Sequence, residues 1–234
     1  MPSSTLVQRA RKLFYRRIRY HWLTERLQYQ IRRNARLKLT AINLELMIRP
    51  GDVIIDCGAN VGDVTSLFAR SGATVYAFEP NPLCFAILSK RFKTMPIVHC
   101  LKQGVFDRRC RVTLGTPTPH GQWDAIDTTI SSSLMHDGKP SDVYAIQETE
   151  VECISLAEFI NSMHSRIRLL KVDIEGSEIP VLNQLMDTGT IKLVDLTVVE
   201  THEQQMPHLR EATAALRERI KNEGLETKIR LDWY

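Results

Sequence analysis

The sequence predicts an α/β protein built on a mostly parallel, doubly wound sheet, with a basic helical extension over residues 1–45. Three observations carry this. From residue 50 onward, short β-rich runs alternate with segments of helical periodicity, as in repeated strand–helix–strand units. The first run, "VIIDCGANVG", breaks into Gly58, Asn60 and Gly62, residues a chain uses where its backbone bends sharply or approaches something closely. Residues 1–50 have a different composition, with twelve Lys or Arg and only Glu25 and Glu45 as acids.

The elements follow in order. "DVIID" has the continuous apolar character of a buried strand, and Val64, Leu67 and Phe68 then form a helical stripe that Gly72 stops. "ATVYAFE" is a second strand. Asn81-Pro82 supplies a cap and a first-turn proline for the helix "LCFAILSKRF". "PIVHCL" is a third strand, and "CRVTL" and "EVECI" are shorter β segments flanking a polar loop from Gly115 to Asp142. Ser155 and Glu158 have capping-box spacing for the helix "LAEFINSMH". "IRLLKVD", the helix "SEIPVLNQLM", the strand "IKLVDLTVVE", a helix in "HLREATAALRERIKNEG" and a last strand "ETKIRLDWY" complete a Rossmann-like layout.

With 234 residues the chain can bury one sizeable core, and 43% apolar with 25% charged residues is the composition of a soluble globular protein. No apolar run approaches the roughly 20 residues needed to span a bilayer. The N-terminal residues lack the apolar core of a signal peptide, which argues against export. Five cysteines without a close pair indicate neither a disulfide framework nor a zinc site, so a reducing cytoplasm is expected. Residues 1–50 carry +10, so the net +4 of the whole chain leaves −6 on the other 184 residues. Such an arm could meet an anionic partner or the surface of a membrane. It could equally be an amphipathic helix with Leu6, Leu13, Phe14 and Ile18 inward and Arg9, Lys12, Arg16 and Arg19 in solvent.

In doubly wound sheets ligands bind beyond the carboxyl ends of the strands, where strand order reverses. Asp56 ends the first strand there and Gly58-Ala59-Asn60-Val61-Gly62 turns into the helix. Glu79 ends the second strand, 17 residues beyond Gly62, where an acid can accept both hydroxyls of a ribose. A dinucleotide fingerprint would need a third glycine, but position 63 is Asp63. Carboxylates at 56 and 63 repel a pyrophosphate and can accept hydrogen bonds from an ammonium. S-adenosylmethionine, with an ammonium, a sulfonium and no phosphate, fits better than a nicotinamide dinucleotide.

A second constellation ends the fourth main strand in "LLKVDIEGSE". Lys171, Asp173 and Glu175 alternate to one side, and three charges there are costly unless paired, hydrated or functional. "VVETH" ends the next strand, so Glu200 and His202 converge on Asp173 if the two strands are neighbours. The plain alternative is a salt-bridged collar in which Lys171 pairs with a carboxylate.

D-x-G-A-N-x-G, "FEPNP", "KVDIEGSE" and "VVETH", in that order from about Gly51 to His202, resemble the FkbM family of S-adenosylmethionine-dependent methyltransferases. The resemblance implies a class I methyltransferase fold and O-methylation of a hydroxyl on a sugar, glycan or natural product. It implies that Asp56, Gly58, Asn60, Gly62 and Glu79 hold the cofactor, and that Gly104 and Val105 in "KQGVFD" flank its adenine. "ISSSL" is similar to a family stretch that places Ser132 and Ser133 near the substrate, where Trp123 and Glu175 are further candidates. Such folds usually end in an antiparallel pair of strands. With one late strand here, the sheet edge is expected to be short or completed by a second copy of the chain.

An alcohol needs a base, and Asp173 is the first candidate, followed by His202. A divalent metal is the other solution, with Asp173 and Glu200 as its candidate ligands. The loop 115–142 is long enough to be a lid. A nucleic-acid methyltransferase would use the basic arm on phosphates; "DIEG" is not the segment used on exocyclic amines, which leaves RNA ribose methylation open. A non-enzymatic binding protein would leave the strand-end carboxylates without a role.

Overall fold

The computed structural model describes residues 42, 46–119, 144–204 and 206–231. The basic arm apart from Ile42, the tip of the 115–142 loop, and Trp123, Ser132 and Ser133 therefore lie outside the described residues.

Six strands form the main sheet: β1 (Val53–Cys57), β2 (Thr74–Phe78), β3 (Val98–Leu101), β7 (Ile167–Val172), β8 (Val194–Val199) and β9 (Ile229–Arg230). Their order is β3-β2-β1-β7-β8-β9 and every pairing is parallel. Strand order reverses between β1 and β7, so a crevice opens beyond Cys57 and Val172, which are register partners.

Helices cover both faces, as expected of a Rossmann-like, doubly wound class I fold. α1 (Asp63–Ala69) and α2 (Pro82–Phe92) pack on one face, where Phe68, Leu88 and Phe92 meet Ile54, Val75, Ala77 and Leu169. α3 (Leu156–Ser162), α4 (Glu178–Asp187) and α5 (Arg210–Asn222) pack on the other against Ile55, Leu170 and Val172. Consecutive residues such as Ile54 and Ile55 serve opposite cores because strand side chains alternate. Each large apolar side chain buried in this way contributes about 1.5–3 kcal/mol. Ile42 and Ile48 join the first core, so residues just before β1 pack against it.

Local chemistry sets the helix starts. Asn81 Oδ1 accepts from the Leu83 and Cys84 amides, and Pro82 occupies the first turn. Ser155 Oγ accepts from the Glu158 amide at 3.4 Å. The reciprocal half of that capping box is replaced by a tertiary contact, because Glu158 pairs with Arg109 at 2.7 Å.

Three expectations change. "CRVTL" and "EVECI" grow into β5 (Cys110–Pro119) and β6 (Tyr144–Ser155), ten residues in antiparallel register, with β4 (Gly104–Phe106) parallel to β6 in a second sheet. Residues 115–119 of the expected loop are thus strand. "IKL" belongs to a 3₁₀ turn, Thr190–Leu193, which Gly189 starts at φ +69°, and the strand begins only at Val194. Of the expected last strand "ETKIRLDWY", only Ile229–Arg230 is strand among the described residues; it runs parallel to β8, and the sheet edge there is short, as expected.

One close approach positions the site. Gly58 has φ +77°, and a Cβ there would lie 1.8 Å from the Asp173 carbonyl oxygen. Only glycine lets the β1 turn lie against the end of β7. Gly58→Ala is expected to cost about 2–5 kcal/mol, from left-handed backbone strain and overpacking together. Gly224, at φ +66° with nothing near its missing Cβ, should tolerate Ala at about 1 kcal/mol. Urea denaturation of the two variants checks the difference.

Candidate active site

The first half of the crevice is the turn after β1. Its backbone amides are all engaged within the protein. Gly58 and Ala59 donate to the Phe78 carbonyl at 3.0 and 2.9 Å, and Gly62 donates to the Ala59 carbonyl at 2.9 Å. Asn60 donates to Glu79 Oε2 at 2.7 Å, and Val61 donates to Asn60 Oδ1 at 2.7 Å. Asn60 sits in the left-handed region at φ +50°, which asparagine tolerates because its short amide bonds locally. A loop with its amides so engaged has none left to cradle a phosphate.

Glu79 is buried, and its second oxygen accepts from the Asn81 amide at 2.8 Å. Burial pushes its carboxyl up to about 7, against the opposing pull of the Asn81 and Asn60 amides. The carboxylate thereby ties the first turn to the start of α2 and keeps lone pairs for further donors.

Several of the residues predicted to hold the cofactor are also engaged inside the fold. Asp56 is 0% exposed and accepts from Thr65 Oγ1 at 2.7 Å, with Lys171 Nζ 3.4 Å from its other oxygen. Gly62, at φ +87°, accommodates α2, since a Cβ would lie 2.5 Å from the Phe92 ring. Gly104 and Val105 are buried in β4, with Val105 in the apolar core.

The second half is built by β7, the turn into α4, and the end of β8. Lys171 is 2% exposed and lies 3.0 Å from Asp173 Oδ2. It also donates to the Gly58 and Cys57 carbonyls at 2.8 and 3.3 Å. Burial disfavours its charge, but Asp173 and Asp56 outweigh that and hold it protonated. The collar pairing envisaged for Lys171 is therefore present.

β7 and β8 are neighbours, and the Glu200 amide donates to the Val172 carbonyl at 2.9 Å. His202 accordingly comes to the same place. Its Nε2 lies 3.4 Å from Glu175, 3.8 Å from Asp173 and 3.9 Å from Glu200, and its Nδ1 lies 3.0 Å from Glu178 Oε1. The last contact is close but lacks hydrogen-bond alignment, so it acts as an ion pair. Burial disfavours the imidazolium, but the contact with Glu178 and the charges of Glu175 and Asp173 prevail and raise His202 to about 9. Burial, reinforced by the charge of Asp173, pushes Glu200 up to about 8 and Glu175 to about 7.

Two features escape a reading of the sequence. Glu178 is 2% exposed and accepts from the Ile174 and Gly176 amides, holding the "DIEGSE" turn closed. An acid in the first turn of a helix is legible as a cap, but its contact with His202, 24 residues on, is not. Glu175 adopts φ +53°, which no local rule foretells for glutamate.

A family model described as the methyltransferase FkbM domain matches residues 56–226. The chain belongs to the FkbM family of S-adenosylmethionine-dependent methyltransferases. This FkbM-family chain is 30% identical over 159 residues to "Methyltransferase 1" of Beauveria bassiana, covering 63% of each protein. It is 54% identical over 44 residues to "31-O-demethyl-FK506 methyltransferase FkbM" of Streptomyces tacrolimicus, covering 18% of this chain and 16% of that one. The chain thus spans less than two thirds of the length of either relative. Among solved structures, similarity is found to an S-adenosyl-L-homocysteine complex of a methyltransferase from Thiobacillus denitrificans. There the TM-score is 0.32 and identity 15%, over 64% of this chain and 42% of that one. An rRNA methylase from Streptococcus thermophilus aligns with TM-score 0.39 and 9% identity, over 77% and 76%.

The residues present suit the family's cofactor. Carboxylates at the strand ends are acceptors suited to an ammonium and to ribose hydroxyls, and turn amides already bonded internally offer no donors to a pyrophosphate. Among the described residues no helix is long and apolar enough to cross a membrane.

The buried ammonium gives a stability test. Lys171→Met leaves Asp56 buried without its cation, and the expected loss is about 3–5 kcal/mol. Adding Asp56→Asn should recover part of that loss, which chemical denaturation of the single and double variants would read as a non-additive pair.

Proposed function

We propose that this chain methylates a hydroxyl group of a sugar, glycan or other small natural product, with S-adenosylmethionine as donor. The supporting observation is the turn 58–62, whose amides are spent internally, one of them on the strand-end carboxylate of Glu79. The printed name of the Streptomyces relative is that of an O-methyltransferase, which favours oxygen as the acceptor atom.

Bound S-adenosylmethionine supplies a methyl group on a sulfonium, whose C–S bond breaks with its electron pair as the acceptor oxygen forms the new C–O bond. Glu79 holds the ribose hydroxyls, and Asn60 with Gly58 sets the backbone that the methionyl part lies against. Gly104 and Val105 back the adenine, Val105 through its main chain because its side chain belongs to the core. Asp56 and Gly62 act as positioning residues, the first through Lys171 and the second through α2.

The acceptor's proton goes to a carboxylate. Asp173 is engaged by Lys171, and His202 is kept protonated by its acidic neighbours, so neither is the better base. Glu200 is 18% exposed at its side chain and raised to about 8, matched to proton transfer near neutrality. We assign it the role of general base, with Asp173 and Glu175 orienting the acceptor.

Calorimetry with S-adenosylhomocysteine and NAD tests the cofactor. Binding of the first and not the second is expected, weakened at least tenfold by Glu79→Gln. Because hydroxyl donors favour ionised Glu79, affinity should rise with pH between 6 and 8 in the wild type and stay flat in that variant. Failure of the folded protein to bind S-adenosylhomocysteine would overturn the reading. Glu200→Gln should lower kcat by about 10²–10⁴ and leave S-adenosylhomocysteine affinity unchanged. RNA ribose methylation, which the +10 of residues 1–50 would serve, predicts instead RNA binding that weakens steeply with salt.

A further inference from the structure

We propose that Asp173, Glu175 and His202 bind one divalent transition-metal cation at the acceptor end of the crevice, with Glu178 orienting the imidazole. One donor atom from each of the three residues lies within 4.8 Å of the other two. Metal bonds of about 2.0–2.2 Å put neighbouring donor atoms about 3–4 Å apart. The separations from His202 Nε2 to Glu175 and Asp173, 3.4 and 3.8 Å, fall in that range. They are long for hydrogen bonds.

The imidazole is an independent observation. His202 is 5% exposed, its Nδ1 makes no aligned hydrogen bond, and its Nε2 faces Glu175, Asp173 and Glu200 at 3.4, 3.8 and 3.9 Å. Glu178 Oε1 stands 3.0 Å from Nδ1, close enough to orient the imidazole by charge from the side away from Glu175 and Asp173. With the proton on Nδ1, Nε2 offers its lone pair. Lys171 occupies Asp173 Oδ2 and leaves Oδ1 toward the imidazole. The turn is closed by the Ile174 and Gly176 amides on Glu178, and it holds Glu175 at φ +53°, a strained conformation of the kind found at ligand sites.

Charge points the same way. Asp173, Glu175, Glu178 and Glu200 all approach one imidazole, and Lys171 is the other cation beside them. A divalent cation offsets that excess. Two carboxylates and an imidazole suit Mn²⁺, Fe²⁺ or Zn²⁺ better than the all-oxygen preferences of Mg²⁺ and Ca²⁺. The cation's role, polarising the acceptor hydroxyl ahead of Glu200, rests on the methyl-transfer reading. Its binding does not.

The test is a Mn²⁺ titration of the chelator-treated full chain, followed by the loss of the free-ion electron paramagnetic resonance signal. S-adenosylhomocysteine calorimetry and thermal melts run in parallel on every variant. One Mn²⁺ per chain is expected, displaced by Zn²⁺ and little affected by excess Mg²⁺. Glu175→Gln and His202→Gln should weaken it at least tenfold, and Glu178→Gln by about 10–100-fold, acting through the imidazole. No Mn²⁺ uptake by protein that melts cooperatively and binds S-adenosylhomocysteine would overturn the metal site and leave the methyl-transfer reading standing. Uptake unchanged in all three variants would also overturn it. Mn²⁺ bound as expected, by protein that does not bind S-adenosylhomocysteine, would sustain the site and remove the cofactor reading.

Discussion

A single ammonium group ties the two halves of the crevice together. Lys171 Nζ reaches the carbonyls of Cys57 and Gly58 on one side and the carboxylates of Asp56 and Asp173 on both. A charge that deep is tolerated only because its acceptors are arranged around it. That requirement fixes how the turn after β1 lies against the end of β7, and Gly58 is the residue that allows the approach. The positions of Asn60, Glu79 and Asp173 follow from this junction.

The two turns at the crevice work by the same physics with different outcomes. In the first, amides that could bind an anion are used up by Phe78, Glu79 and Asn60. In the second, the Glu178 carboxylate takes up the amides of Ile174 and Gly176. What both leave facing the crevice is negative. Such turns suit the cationic cofactor of the FkbM family better than a phosphate, which calls for free amides. The same excess of carboxylates raises Glu200 and Glu175 and keeps His202 protonated.

Much of the fold was legible in the order of residues. Strand and helix periodicities, Asn81-Pro82 and Ser155 marked most elements, because apolar spacing and caps act over a few residues. The hairpin of β5 and β6 was underestimated, since its outer residues carry prolines and polar side chains that read as loop. The 3₁₀ turn before β8 was absorbed into the strand, because "IKL" has β character and only the position of Gly189 marks the break.

The sequence by itself determined the sheet, the crevice and the family, because the D-x-G-A-N-x-G, KVDIEGSE and VVETH segments are each local and occur in order. It also named Asp173, Glu200 and His202 as neighbours. Tertiary structure decided what each of them does. Asp56 turned inward to Thr65 and Lys171, Gly62 served α2, Glu178 joined His202, and Asp173 was engaged by Lys171. Those outcomes depend on which strands lie side by side and on how burial shifts a proton. Both arise only when residues far apart in the chain share one low-dielectric space.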